Sequence, residues 1–460
     1  MKYSGYIAGM EVKPTFWPTE TEEKIFKLLM EVVEAKSPST VLRLAGGIIR
    51  DRLLGIESSD IDIAVDDMTG EGFCKLIVAH LDPNNKFTII KANPDQSKHL
   101  ETAMIQLFGI NMDFVNLRKE SYADSRIPVM EFGTPQEDAQ RRDLTINALF
   151  YNINSGEIED FVGGLMDLDL KIARTPIDPI QTFIDDPLRI LRVIRFAAKY
   201  DLMVEPDIIY ACHDENVREA LRTKVTPERK WREIGGYNQE DGTWKCGFFA
   251  TSKAHIALEL LYKMNIADLI FGDNQFNFYE SYYNLSQKFH QVKDHKSKLI
   301  LNLATIFNDR SEQIIDLDDV LLVNLKTPKE FFKRVKSIID EANWFNYESD
   351  YHLRLFLSGA KDDWHLALTL AGMDKNIGNT KEFEVAKERI YQIVKELDGW
   401  KVKSPISGKH LIEIGFPADK SITTALDNLN CQLLHDPKMT KEEALKFCKQ
   451  FMPNNQSSST

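Results

Sequence analysis

Two short stretches of this chain hold residue types and spacings able to do phosphate chemistry. Gly46-Gly47 is followed, with twelve residues between, by Asp60-Ile61-Asp62. Glycines let backbone N–H groups come close to phosphate oxygens at the start of a helix. Asp60 and Asp62 alternate with Ile61 and Ile63, so on a strand both carboxylates leave one face while the isoleucines pack behind it. Two like charges that close repel each other, and a divalent cation relieves the repulsion. Hard oxygen ligands with open positions suit Mg²⁺ bridging to substrate phosphates, which makes Asp60 and Asp62 the candidate metal ligands. Leu42-Arg43-Leu44-Ala45 enters the double glycine as an apolar run and Ile48-Ile49-Arg50-Asp51 leaves it, which predicts strand, turn and helix.

Three further groups are chemically suggestive. Asp113 sits on a predicted strand, 110–117, sharing a face with Val115 and Leu117. It is either an edge carboxylate facing water or a third carboxylate near the metal, taking a proton or orienting ligands. In 140–151, Arg142 can pair with phosphate while Asp143 and Asn147, one helical turn apart, can bond ribose hydroxyls; the alternative is a helix start with solvated charges. After Asp185-Asp186, Pro187 suits a first helical position and Asp186 an N-cap. Arg189, Arg192 and Arg195 then fall within an arc of roughly 120°, with Leu188, Leu191 and Ile194 on another face. That pattern fits a capped amphipathic helix with a solvated arginine face. It also fits a reader of nucleobase edges, since an Asp accepts from an amino group while an Arg fork donates. For Asp186 the capping and reading roles compete.

The elements that must position these groups change character near residue 175. Before it lie β-branched and alternating segments at 87–90, 103–108 and 112–115. After it the pattern is helical, at 187–199, 253–264, 297–307, 329–343, 365–371, 380–397 and 439–451, with Thr440 and Glu443 at capping-box spacing. The expected fold is an α/β head over residues 1–175 followed by an all-α neck over 176–250, body over 251–350 and tail over 351–460. Seams are expected near 235–242, 346–350 and 401–408, and 454–460 reads as a frayed polar end.

At 460 residues the chain exceeds one ordinary core, and 43% hydrophobic and 10% aromatic residues describe a folded protein. Its five cysteines form no Cys-x-x-Cys pair, which speaks against a zinc site or disulfide framework. No apolar run of about 18 residues occurs, so no spanning segment is expected. The stretch 1–23 has two lysines, no arginine and four glutamates, unlike a transit peptide. A net charge of −13 argues against a broadly basic surface, although a local basic groove is compatible with it.

Gly46-Gly47 ahead of Asp60-x-Asp62 resembles the signature of the polymerase β nucleotidyltransferase superfamily. Arg141-Arg142-Asp143-x-Thr145-x-Asn147-Ala148 then resembles the second motif of the class II tRNA nucleotidyltransferases, the CCA-adding enzymes. Residues 160–168 are similar to their third motif, joining head to neck, and Asp185-Asp186-x-x-Arg189 to their fourth. Glu228-Arg229-x-x-x-Glu233 is similar to their neck element, although Arg229 and Glu233 alone could form an i,i+4 pair on a surface helix. The five motifs run in order over about residues 41–235, and 405–411 match the tail more weakly. Residues 97–103 and 122–132 look like fungal members, in which the latter is a mobile loop. Two departures stand out: Asp185 replaces the family's glutamate, and Gly235-Gly236 breaks the apolar helix that relatives continue.

The resemblance implies a polymerase β-like sheet, catalysis at Asp60, Asp62 and Asp113 with Mg²⁺, and nucleotide binding by Gly46, Gly47, Arg50, Arg142, Asp143 and Asn147. Asp186 and Arg189 would face the base, and Arg192 and Arg195 would meet the triphosphate. The implied reaction adds CMP, CMP and AMP from CTP and ATP to the 3′ end of tRNA without a nucleic-acid template, releasing pyrophosphate. The helical remainder would grip the acceptor and TΨC arms of tRNA by shape and phosphate contacts. The neck element at 228–233 would brace the neck. An intracellular monomer without membrane contact is expected, in cytoplasm and nucleus, with the mitochondrion a further compartment. The alternatives are a poly(A) polymerase, a partial CC- or A-adding enzyme, and a non-catalytic RNA-binding protein.

Overall fold

The computed structural model describes residues 16, 18–58, 61–81, 87–90, 102–121, 129–236, 246–272, 278–287, 292–308 and 315–453. The chain separates into two compact units, Met1–Asp273 and Asn274–Thr460.

The first unit is built on β1 (Leu42–Ala45), β2 (Ile61–Val65), β3 (Phe87–Ile90), β4 (Thr102–Leu107), β5 (Ile110–Asn116), β6 (Arg118–Ser121), β7 (Val129–Phe132), β8 (Phe150–Asn152) and β9 (Glu157–Glu159). Seven of them form one mixed sheet in the order β3-β4-β5-β2-β1-β8-β9, while β6 and β7 pair as a separate ribbon. Only β2 and β5 run parallel in the large sheet, so the pair needs a crossover, and α3 (Gly70–Leu81) with the β3–β4 hairpin supplies it. Alternation puts Leu44, Ile61, Ile63, Met112 and Phe114 on one face, all buried. That face lies under α1 (Glu20–Lys36) and α3, with Phe73 of α3 and Phe114 at 5.6 Å between ring centroids. Each such buried aliphatic or aromatic side chain contributes about 1.5–3 kcal/mol. The opposite face carries Ala45, Asp62, Asp113 and Phe150 in one row across β8, β1, β2 and β5.

Short helices connect sheet and neck: α2 (Gly47–Leu53), α4 (Pro135–Gln140), α5 (Gly164–Asp169) and α6 (Pro179–Asp185). The neck follows as α7 (Leu188–Tyr200), α8 (Pro206–Ala211), α9 (Glu215–Lys224) and α10 (Pro227–Ile234). The strand, turn and helix expected around Gly46-Gly47 are present as β1, the turn and α2. The expected helix at 187–199 begins at Leu188 and ends at Tyr200, where Asp201 turns left-handed at φ 61°. The expected one-turn spacing of Asp143 and Asn147 is realised by a 3-10 turn at Thr145–Asn147, because Leu144 is extended and β8 follows at once.

In the second unit, helices at His295–Phe307, Lys329–Asn343 and Trp364–Ala371 pack on one another, with Arg334 bound to Asp363 through two bonds of 2.7 and 2.6 Å. Lys329–Asn343 has the bounds its periodicity predicts, and His295–Phe307 starts two residues early because Asp294 caps it. Asp318–Asn324 is a π-helical stretch that the periodicity did not show. Lys381–Leu397 and Lys441–Cys448 are capped by Thr380 and Thr440, the latter in the expected capping box with Glu443. Leu411, Phe416, Leu429 and Leu433 form a small core of their own at the C-terminal end. Among the described residues, no helix is long and apolar enough to cross a membrane.

Candidate active site

Asp62 is exposed on β2, and the parallel register sets it directly beside Asp113 of β5, which is half-buried. Neighbouring strands lie about 4.8 Å apart, so two carboxylates leave the same face side by side. Asp113 is therefore on a central strand next to Asp62, not on an open edge. Asp60 lies outside the described residues, as do most of 97–103 and 122–132 and the central part of the seam near 235–242.

Beside this pair the chain turns at Gly46, whose φ of 80° and ψ of −143° only glycine adopts without strain. A Cβ there would lie 3.5 Å from Arg142 Nη1 and 3.9 Å from Asp62 Oδ2, so turn, carboxylate and guanidinium converge. Arg142 is held by Asp138, through Nε at 3.1 Å and Nη2 at 2.9 Å, and donates from Nη1 to the Asn147 carbonyl at 2.9 Å. Asp138 also pairs with Arg141. Burial alone would raise the Asp138 carboxyl, and Arg142 and Arg141 together hold it below the ordinary carboxylate range. The sequence reading missed Asp138, although its position three and four residues before the arginines was a usable signal.

At Gly47, a Cβ would meet Arg50 Nη2 at 3.0 Å. Arg50 is buried, donates from Nε to Asp51 at 2.9 Å, and bonds Asn147 Oδ1 through Nη1. Asn147 in turn donates to Asp143 Oδ1 at 2.9 Å, and Arg192 Nε donates to Asp143 Oδ2 at 2.8 Å. Burial would raise the Asp143 carboxyl; Arg192 and the Asn147 bond outweigh it and hold the pKa at about 2. Burial likewise opposes the Arg192 charge, and Asp143 and Glu233 overcome it, raising its pKa.

The arginine row on α7 is paired with other elements and is not simply a solvated face: Arg189 is buried and Arg195 nearly so, while Arg192 keeps 36% of its side chain exposed beside Asp143. Arg189 is buried and its Nη1 donates to the Thr182 carbonyl at 3.3 Å; Arg192 meets Asp143; Arg195 meets Glu233 of α10 at 2.5 Å. Asp186 is extended, accepts from the Leu188 N–H at 3.2 Å, and lies 3.4 Å from Arg229. Its carboxylate thus closes the helix start while one edge stays half-exposed. Pro187, with helical angles, occupies the cap position itself. Arg229 and Glu233 reach across to Asp186 and Arg195, which is what an element bracing the neck does.

The Asp160–Leu168 segment is held by its own backbone bonds and packs on the 3-10 turn. Asp160 accepts from the N–H groups of Val162, Gly163, Gly164 and Leu165, and a Cβ at Gly164 would meet the Thr145 carbonyl at 2.3 Å. That approach holds the 3-10 turn bearing Asn147 against α5.

The donor set at Asp62 and Asp113 is hard oxygen on an open face, which fits a divalent cation with room for phosphate ligands. Among the described residues no group of three or more His, Cys, Asp or Glu side chains converges as a metal cage.

Residues 42–174 match the family described as the poly A polymerase head domain. Nucleotidyltransferase lcsQ of Purpureocillium lilacinum is 43% identical over 277 residues, which cover 55% of this chain and 46% of that protein. The mitochondrial CCA tRNA nucleotidyltransferase of Saccharomyces cerevisiae is 44% identical over 234 residues, covering 47% of this chain and 43% of that protein. The chain thus spans about half the length of these curated relatives. The Bacillus stearothermophilus CCA-adding enzyme in complex with CTP shares the fold over 94% of this chain and 98% of its own, at a TM-score of 0.67 and 18% identity. Residues 42–174 thus match a poly A polymerase head domain, and the whole chain has the fold of the CCA-adding enzymes.

Proposed function

We propose that this protein adds CMP, CMP and AMP from CTP and ATP to the 3′ end of tRNA, releasing pyrophosphate, with no nucleic-acid template. The observation that carries the reading is the bond between Arg192 and Asp143, because it fastens the arginine helix to the segment beside the catalytic carboxylates. On this reading Asp186 and Arg189, just before and on that helix, choose the nucleotide, while the Gly46 turn and the carboxylates transfer it, as selection and transfer in one site require.

Asp62, with Asp60, is the proposed ligand pair for Mg²⁺, which when bound neutralises triphosphate charge and makes the tRNA 3′ hydroxyl easier to ionise. Asp113 stands next to Asp62, which supports a role in taking that proton or orienting the pair. Gly46, Gly47 and Arg142 line the phosphate path, and Asp143 and Asn147 hold the ribose side, with Arg50 supporting Asn147 from behind. Asp186 and Arg189 read the base edge, and Arg192 and Arg195 border the triphosphate. Residues 1–175 form the head, 176–250 the neck, 251–350 the body and 351–460 the tail, and the last two grip the acceptor and TΨC arms. The protein works as an intracellular monomer in cytoplasm and nucleus, and relatives named as mitochondrial add that organelle.

The test is incubation of the full chain with tRNA lacking its CCA end and single labelled nucleotides in Mg²⁺. Ordered incorporation of two CMP and one AMP supports the reading; a long A tail would identify a poly(A) polymerase, and no incorporation a binding protein.

A further inference from the structure

Tyr200 and Asp51 belong to none of the nucleotide or metal positions described above, yet they close a circuit around them. The Tyr200 hydroxyl donates to Asp51 Oδ1 at 2.7 Å, and Arg50 Nε donates to the same oxygen at 2.9 Å. From Arg50 the bonds run through Asn147 to Asp143 and end on Arg192. Tyr200 and Arg192 are both on α7, eight residues apart, with Phe196 midway. The three form one stripe, and the Phe196 and Tyr200 rings lie 4.9 and 4.5 Å from the Arg50 guanidinium. The path therefore leaves the helix at its last residue, crosses α2 and the 3-10 turn of the head, and returns near the helix start.

We propose that Tyr200 and Asp51 are positioning residues for nucleotide choice, pinning the far end of α7 to the head so that Asp186 and Arg189 keep their place relative to the Gly46 turn. The proposal rests on the nucleotide-selecting role given to α7 above. The Arg192 bond and the Phe196 ring against Arg50 hold the helix at its start and middle, and the hydroxyl bond at Tyr200 fixes its far end and so its tilt. Tyr200 lies about 12 Å from Arg192 along the axis, and Asp186 lies beyond the helix start on the other side. Slack at Tyr200 is thus carried through the helix to Asp186. Base-edge hydrogen bonds are directional and tolerate only about 0.5 Å of such displacement. Burial raises the pKa of the Tyr200 hydroxyl, so the proton needed for the bond to Asp51 stays in place. Bonds in a chain also polarise one another, so loss of one weakens the rest.

The experiment is steady-state addition by the full-length protein to tRNA ending one C short and two C complete, each with CTP and with ATP. Tyr200→Phe keeps the ring over Arg50 and removes only the hydroxyl. It is expected to lower the preference for the correct nucleotide by about tenfold, below the hundredfold that a 1 Å misplacement can cost. Asp51→Asn should do at least as much, and the double variant no more than Asp51→Asn alone, because both act through one circuit. If Asp51→Asn does not fold, Tyr200→Phe carries the test by itself. An unchanged preference in Tyr200→Phe, or an equal loss with both nucleotides, would overturn the proposal while leaving the reaction intact. A wild-type protein that adds neither nucleotide would instead remove the reading beneath it.

Discussion

Asp62 has hydrophobic neighbours on both sides in sequence and an exposed carboxylate in the fold, and nothing in core packing requires a charge there. Asp62→Ala should therefore leave thermal unfolding within about 0.5 kcal/mol of wild type, as for other exposed sites, while incorporation of labelled CMP disappears. Normal turnover would remove Asp62 from the chemistry. Asp143 behaves differently because its charge is structural as well. Its folded pKa of about 2 lies below the ordinary value of 3.8, so the charged form is favoured by folding. The resulting stability, about 2 kcal/mol, is fully present above pH 4 and is lost as pH falls through 2. Denaturant midpoints measured from pH 7 to 2 should fall in that window, and Asp143→Asn should flatten this part of the profile. Asp62 and Asp143 were both legible in the sequence as types at a spacing; their different environments were not.

At the scale of elements, the turn at Gly46 and the contact at Gly164 are backbone constraints that any side chain breaks. Gly46→Ala must adopt φ 80°, ψ −143° and point its methyl toward Arg142. A cost of about 1–3 kcal/mol in unfolding free energy, with a raised KM for both nucleotides, is expected from the strain and the crowded phosphate path. Helix α7 is the element whose sequence was most misleading. Three arginines at one side look like a wet face, yet Thr182, Asp143 and Glu233 receive them. Arg192→Ala would remove the ion-pair partner of buried Asp143 and leave it the Asn147 and Leu144 N–H bonds, at a cost of about 1–3 kcal/mol, and calorimetry should find it more damaging than truncation of an exposed arginine such as Arg222. The amphipathic period is the same whether the polar partner is water or a carboxylate on another element, so periodicity could not separate the two.

For the whole molecule, the separation into residues 1–273 and 274–460 leaves every residue of the proposed nucleotide site in the first unit. A fragment of residues 1–273 is expected to bind CTP in titration calorimetry like the full chain and to lose most of its tRNA-dependent incorporation, because the proposed tRNA grip lies in the second unit. The full chain should bind tRNA with strong salt dependence despite its charge of −13, since phosphate contacts depend on local fields, and a filter-binding series in salt reads that slope. A head followed by helices was legible from the shift in periodicity near residue 175. The two-unit division was not, because helix-to-helix seams carry no change of period.

The sequence by itself determined the chemistry available: a glycine turn, carboxylates alternating with isoleucines, and an ordered set of motifs that resembles one family's. It also determined the bounds of Lys329–Asn343 and, to within a residue, Lys381–Leu397, since capping residues and apolar spacing are local properties, but not those of Asp350–Ala360 or Lys420–His435. Only the tertiary structure decided which carboxylate stands beside Asp62, because strand order joins β2 to β5 across about fifty residues of chain. Only it showed that Arg50 and Arg192 are joined through Asn147 and Asp143, and that Tyr200 closes the same circuit. Those contacts connect residues as far as 149 positions apart, a distance at which no spacing rule of strand or helix operates.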